Sequence, residues 1–110
     1  MMDIQTLRSK VWLELWNSIE GEVEECELRK EISPGHPLFE VEVVAVSRND
    51  DDVLFYLPAH NPDLAVVHLT YHKENSAVWP YTQFFDSFAE FEKQMKADHD
   101  SYLALWADAE

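Results

Sequence analysis

Carboxylates are the residues of this sequence that are best placed to do chemistry. The 110-residue chain has 22 Asp and Glu residues against 8 Lys and Arg residues, which gives a formal net charge of −14. A small domain usually needs a net charge with a magnitude of only about 2–8 to stay soluble. Such an excess would steer a basic protein partner toward the chain. A solvated surface with an ordinary polar turn is the plainer interpretation. The acidic residues concentrate in two groups, Glu20, Glu22, Glu24, Glu25, Glu27 and Glu31, and Asp50, Asp51 and Asp52.

Histidines provide a second set of chemical groups. His68 and His72 fall on the same side of one predicted strand, and His99 lies between Asp98 and Asp100. Zinc accepts His and carboxylate ligands together, but residues four apart on a strand lie roughly 13 Å apart. That separation is too great for two ligands of one ion, so we predict no metal site and no cofactor.

Nucleophilic catalysis is also disfavoured by the sequence. Cys26 is the only cysteine. It alternates with glutamates in an apolar setting, which lowers the reactivity of a thiol. Two glycines in the whole chain are too few for a Gly-rich loop that cradles phosphate. We therefore predict a non-enzymatic protein with no catalytic residues. A lone cysteine excludes an internal disulfide and favours the reducing cytoplasm.

Charge and hydropathy argue against two further classes of partner. The few Lys and Arg residues are scattered along the chain, whereas nucleic-acid binding needs a clustered basic face. No apolar run approaches the roughly 20 residues of a membrane-spanning helix. Residues 1–5 have neither the basic nor the apolar region of a secretory signal, so we expect a cytoplasmic protein.

These groups must be positioned by a fold, and the sequence predicts an α+β domain over residues 1–110. Hydrophobic residues make up 46% of the chain and aromatic residues 13%, which is typical of a folded protein. Apolar residues at helical spacing predict a first helix over residues 3–20, with Gly21 as its left-handed stop. Ser87-Phe88-Ala89-Glu90 matches a capping box and predicts a last helix that runs to the C-terminus. Its predicted apolar stripe consists of Phe88, Phe91, Met95, Tyr102 and Trp106.

A four-stranded antiparallel meander is predicted between the two helices. Alternation over residues 25–32 predicts the first strand, and Ser33-Pro34-Gly35-His36 has the pattern of a type II turn. Residues 75–83, which contain Trp79 and Pro80, are interpreted as irregular. The remaining predicted strands are Phe39–Ala45, Val53–Leu57 and Leu64–Tyr71, joined by a polar turn at 48–52 and a loop at 58–63.

The two faces of the predicted sheet differ. We expect both helices to pack mainly on the face that bears Cys26, Leu28 and Val43; one helix on each face is the alternative. The first arrangement leaves the second face with an apolar patch rimmed by glutamates, which is typical of an interaction surface. Together with an aromatic residue in the irregular segment, this face supplies the predicted partner-binding residues Glu25, Glu27, Glu40, Glu42, Val44, Phe55 and Trp79.

Part of the C-terminal half resembles a pattern found in small uncharacterised bacterial proteins. The resemblance rests on Val67-His68-Leu69-Thr70-Tyr71, Trp79-Pro80, Phe85, Ser87-Phe88 and Asp98. It implies a bacterial cytosolic protein and brings no known catalytic residues. The small, acidic α+β character is also similar in composition to immunity proteins that neutralise basic toxin domains.

These observations favour a non-enzymatic protein-interaction domain. Its sharpest form is inhibition of, or immunity against, a basic protein partner. Two other classes stay open: a homodimer with a structural or adaptor role that closes the spare sheet face, and a small-ligand-binding domain with a pocket near Tyr71, His72 and Trp79.

Overall fold

The computed structural model describes residues 4–13, 16–73 and 79–108. Within these residues a five-stranded antiparallel sheet combines with three helices, so the α+β class is confirmed. The strands lie side by side in chain order, as a meander, with one strand more than predicted. They are β1 (Asn17–Ser18), β2 (Val44–Asn49), β3 (Asp52–Tyr56), β4 (Leu64–His68) and β5 (Thr82–Phe85), and the helices are α1 (Ile4–Arg8), α2 (Glu22–Glu31) and α3 (Phe88–Asp108).

Helix α2 occupies the segment that was predicted as the first strand, so that prediction was wrong. Its buried residues are Glu24, Leu28 and Glu31, which recur at helical spacing. Two of these three positions are glutamates, so a search for apolar residues does not detect the buried stripe. The residues Glu, Leu, Lys and Arg that dominate this segment are good helix formers.

The start of α2 is fixed by close contact with β2. Gly21 precedes the helix in a left-handed conformation with φ 50°, where the sequence predicted the end of the first helix. A Cβ atom on Gly21 would lie 2.2 Å from the Cβ of Ala45, so only glycine fits there. The backbone N–H of Ala45 also donates to Glu25 Oε2 at 2.9 Å, which joins the first turn of α2 to the sheet.

The predicted helix over residues 3–20 is confirmed only over α1. Residues 17–18 instead form an edge strand that pairs with β2 through Asn17↔Arg48 and Ser18↔Ser47. The N–H of Ile19 continues this link by donating to Val46 O at 3.0 Å. Residues 3, 14 and 15 of the predicted helix lie outside the described residues. The apolar spacing here reflects side chains that pack on the sheet from a mostly irregular segment.

The later strands follow the prediction more closely. β3 and β4 lie within one and three residues, respectively, of their predicted ends, and Asn49 pairs with Asp52 across the predicted Asp-rich turn. The turn at 33–36 is confirmed, because His36 N donates to Ser33 O at 3.0 Å and Gly35 has φ 97°. β2 begins later than predicted, and β5 was missed. The part of the predicted irregular segment that spans residues 75–78 lies outside the described residues.

A buried histidine anchors the connection between α2 and β2. His36 is 4% exposed and its Nδ1 accepts the N–H of Leu38 at 3.0 Å. Nε2 therefore carries the proton, and it donates to Pro80 O at 2.9 Å. These bonds hold the connection between α2 and β2 against the chain that enters β5.

Hydrophobic side chains form two clusters. Because successive strand residues point to opposite faces, one cluster lies on each face of the sheet, and the helices are divided between them. The two helices that the sequence predicted, α1 and α3, contribute to the same cluster, but the expected face was that of Leu28 and Val43, which belong to the other cluster. The first cluster contains Leu28 of α2 with Leu38, Val43, Ala45, Val53, Phe55, Leu57, Ala65, Val67 and Leu69. The second contains Leu7 of α1 and Phe88, Phe91 and Met95 of α3, together with Trp16, Val46, Leu54, Leu64 and Phe85.

Helix α3 begins at the predicted cap, where the N–H of Glu90 donates to Ser87 Oγ at 3.3 Å. Among its described side chains, Phe88, Phe91 and Met95 of the first turns contribute to the second cluster. Leu103 and Leu105, further along the helix, are exposed. Within the described residues even this longest helix lacks the apolar length needed to cross a membrane. The side chain of Trp106, predicted to extend the apolar stripe, lies outside the described residues.

Replacing Gly21 by Ala is expected to lower the free energy of unfolding by about 2–5 kcal/mol. A left-handed non-glycine residue costs about 1–2 kcal/mol, and forcing a methyl group into Ala45 costs about 1–3 kcal/mol. Urea denaturation followed by tryptophan fluorescence measures the loss. Gly35→Ala is the matched control, because Gly35 also has positive φ but lies in an exposed turn. Equal losses for the two variants would show that contact with Ala45 does not restrict position 21.

Candidate binding surface

An open concavity lies on the sheet face that carries α3. Its volume is about 460 Å³, within the range of roughly 300–1,000 Å³ that ligand pockets occupy. We name this feature the aromatic concavity, after the two large rings in its wall. Its lining residues are Asp52, Val66, His68, Trp79, Tyr81 and Gln83.

Strand pairing brings these distant residues together. Asp52 on β3 lies opposite His68 on β4, and the N–H of His68 donates to Tyr81 O at 3.0 Å. These three residues therefore form one row across the sheet. Val66 and Gln83 pair in the next row.

The rings of the aromatic concavity face solvent. Trp79 is 46% exposed and Tyr81 is 56% exposed, unusually high values for large aromatic residues beside a sheet. At the other end of the same face, Phe91 and Met95 of α3 cover Leu64. The helix thus covers one end of the face and leaves the rings uncovered at the other.

A histidine–aspartate pair lies within the aromatic concavity. His68 Nδ1 is 2.8 Å from Asp52 Oδ1, and an ionised carboxylate only accepts hydrogen bonds, so Nδ1 carries the proton. Both side chains are about half exposed, at 52% and 43%, and such a pair contributes about 0–1 kcal/mol to stability. Its main effect is to orient the carboxylate and the imidazole. Catalysis by such a pair normally uses a Ser, Thr or Cys nucleophile, and none is among the described lining residues.

The electrostatic character of the aromatic concavity is negative. None of its described lining residues is Lys or Arg, and Asp50 and Asp51 precede Asp52 in the same turn. Arg48 is engaged elsewhere: its Nη1 lies 3.5 Å from Glu24 Oε2, and its Nη2 donates to the Tyr71 hydroxyl. Asp52 is therefore not neutralised by the nearest cation in the sequence.

A second polar group joins α2 to the segment after β4. Glu31 is fully buried, and its Oε1 accepts the N–H of Thr70 at 2.8 Å and the Thr70 hydroxyl at 3.0 Å. Its Oε2 accepts the N–H of Tyr71 at 2.9 Å, where the backbone is left-handed with φ 60°. These three bonds, the Glu31 clamp, satisfy a buried charge that would otherwise be strongly unfavourable.

Glu27 lies one turn before Glu31 on the same helix. A side-chain hydrogen bond with Glu31 raises the pKa of Glu27, and burial and the negative charge of Glu31 raise it further. The charges of Lys30 and His72 oppose this shift. The folded protein therefore holds a proton on Glu27 more tightly than the unfolded chain does.

The four predicted acidic partner-binding residues do not lie on paired strands. Glu25 and Glu27 belong to α2, and Glu25 is already bonded to the backbone of Ala45. Glu40 and Glu42 are exposed in the connection before β2. These four residues therefore do not share one face of paired strands, because residue 27 lies in a helix.

The predicted apolar partner-binding residues separate in a similar way. Phe55 is 0% exposed in the first cluster, so its prediction as a surface residue was wrong. Val44 is half-buried and pairs with Tyr56 in the sheet. Trp79 does lie on an open surface, within the aromatic concavity.

Sequence reasoning missed Asp52, Tyr81 and Gln83 as surface partners of Trp79, and it considered His68 only as a metal ligand. One signal was present in the sequence. Trp79, Tyr81 and Gln83 recur at every second position, the period of a strand, and all three line the concavity. The prolyl residue between the first two led to the interpretation as an irregular segment.

Within the described residues, no group of three or more His, Cys, Asp or Glu side chains is arranged to hold a metal ion. Comparisons of the chain with protein-family models, curated proteins and solved structures find no match. The resemblance to small bacterial acidic proteins therefore stays a prediction.

Replacing Glu27 by Gln is expected to raise the free energy of unfolding at pH 7 by about 0.2–0.5 kcal/mol, the cost of a like-charged pair four residues apart on a helix. Because the pKa of Glu27 is raised in the folded state, the folded chain binds this proton more tightly than the unfolded chain. Its stabilising contribution is full below the ordinary glutamate pKa and is lost as pH rises through the raised value. Gln keeps an N–H donor at every pH, so the advantage of the variant should disappear in acid.

Urea denaturation of both proteins between pH 4 and pH 8 measures this difference. Glu42→Gln is the control, since it removes one negative charge from an exposed loop position. A similar pH-dependent gain in the control would assign the effect to net charge rather than to the Glu27–Glu31 contact.

Proposed function

We propose that this chain is a non-enzymatic, acidic protein-interaction domain that binds a basic protein partner at the aromatic concavity. The observation that carries the proposal is the exposure of Trp79 and Tyr81 beside Asp52 on a chain of net charge −14. Trp and Tyr are enriched among the residues that supply most of the binding energy at protein interfaces.

The two physical contributions act at different stages of binding. The negative field of the chain accelerates encounter with a positively charged protein. Burial of the two rings then slows dissociation, because hot-spot contacts act mainly on the off-rate. Inhibition of a basic enzyme or toxin domain is the sharpest form of this proposal, in a bacterial cytoplasmic setting.

A small-ligand-binding domain is the second candidate, and the volume of the aromatic concavity favours it. About 460 Å³ would accommodate a ligand of ordinary metabolite size. A homodimer that covers the concavity with a second copy ranks below both, because it brings together two chains of net charge −14.

Removal of both rings is expected to abolish capture of the basic partner. In affinity purification from cells that naturally express the chain, wild-type protein should retain a basic protein that the Trp79→Ala/Tyr81→Ala double variant loses. Loss of even one hot-spot ring, worth about 2 kcal/mol or more, weakens binding about 30-fold. Phe39→Ala is the control, since Phe39 is an exposed aromatic residue outside the concavity.

Salt dependence provides the second half of this test. The association rate of the purified partner should fall as ionic strength rises, because salt screens exposed charges beyond about 8 Å at physiological concentration. Retention of the same partner by the double variant, or a partner that is itself acidic, would contradict the proposal.

A further inference from the structure

The position of Asp52 within the aromatic concavity defines what kind of group fits there. Asp52 occupies the same cross-strand row as His68 and Tyr81, with Trp79 also in the lining. A carboxylate and two exposed rings thus share one concave surface. This combination of a negative charge and π faces selects for a cation.

The hydrogen bond from His68 prepares the carboxylate for such a ligand. His68 Nδ1 donates to one oxygen, Oδ1, at 2.8 Å. An ionised carboxylate accepts about four hydrogen bonds through its two oxygens, so this contact fixes the group and leaves further acceptor capacity. With 43% of its side chain exposed, Asp52 remains reachable from solvent.

The surroundings do not neutralise this charge. The described lining residues include no Lys or Arg, and the guanidinium of Arg48 is held by Glu24 and Tyr71. Asp51 interacts with Arg48 at 3.9 Å, whereas Asp52 is the carboxylate in the lining of the aromatic concavity. A cation supplied from outside would therefore meet a negative potential.

The rings favour a guanidinium over an ammonium group. A planar guanidinium stacks on aromatic faces, is weakly hydrated and presents a fork of donors that matches a carboxylate. A lysine ammonium is a compact and strongly hydrated point charge, so it loses more on leaving water. Both preferences act at one site here because the carboxylate and the rings lie together.

We propose that Asp52, Trp79 and Tyr81 form a subsite for an arginine side chain of the basic partner, with His68 as the residue that positions Asp52. This inference rests on the proposed function, since it names the partner group that enters the aromatic concavity. In the bound state the guanidinium donates to Asp52 and stacks on the rings.

Titration with N-acetyl-arginine amide, followed by heteronuclear NMR of the intact chain, tests this subsite. The indole N–H of Trp79 and the amide signals of Tyr81 and His68 should shift, with a Kd on the order of 1 mM for so small a probe. N-acetyl-citrulline amide has nearly the same shape without the charge, and it should leave these signals unchanged. N-acetyl-lysine amide should bind at least about fivefold more weakly, because its hydrated ammonium group does not stack.

Matched variants locate the binding energy. Asp52→Asn should weaken arginine binding at least about fivefold, since the bond to a charged acceptor is lost, whereas Glu42→Gln, which removes an equal charge elsewhere, should change it less than twofold. Trp79→Ala reports the ring contribution independently if the Asn variant perturbs the turn. Equal shifts with citrulline, equal affinity for lysine, or equal losses in the Asp52 and Glu42 variants would each overturn the subsite.

Failure of the arginine subsite can be distinguished from failure of the proposed function. If a basic partner is lost by the Trp79→Ala/Tyr81→Ala variant while the arginine probe produces no shift, the interaction domain stands and the arginine subsite is wrong. If the probe binds through Asp52 while no basic protein is retained, the subsite stands and the proposed function is wrong.

Discussion

A buried carboxylate with complete hydrogen bonding holds this architecture together. An isolated buried charge is strongly unfavourable, and Glu31 is fully buried, yet three donors from Thr70 and Tyr71 satisfy it. In the same helix, Glu25 accepts the N–H of Ala45 from strand β2. A helix rich in glutamate can therefore lie on the sheet, because its inward carboxylates use backbone donors that would otherwise need other partners.

This arrangement divides the acidic residues of the chain by role. Glutamates on the inner side of α2 are internal hydrogen-bond acceptors on one face of the sheet, whereas Asp52 lies on the opposite face beside exposed rings. The two faces are connected through the chain, because Thr70 lies two residues after His68, the last residue of β4. The Glu31 clamp thus fixes the end of the strand from which the aromatic concavity is built.

The sequence was informative where apolar spacing and burial coincide, and it misled where they do not. Helix α3 and strands β3 and β4 follow the apolar pattern, so they were predicted. Helix α2 buries Glu24 and Glu31, so the local pattern concealed it. At the surface, Trp79 was identified because it is an aromatic residue in a segment that was interpreted as irregular. Its association with Asp52 and Tyr81, however, depends on the pairing register of three strands. Local sequence does not encode that register, which is set by the turns and by packing on both faces.

Cys26 gives the molecule a defined chemical handle. It is the sole thiol in the sequence, and it is exposed on the outer side of α2 rather than within a strand. That helix packs on the sheet face opposite the aromatic concavity. A fluorophore or surface linker attached through its sulfur would leave the rings accessible. For the same reason, two copies joined by a disulfide at this position would stand back to back and form a bivalent particle with both concavities directed outward.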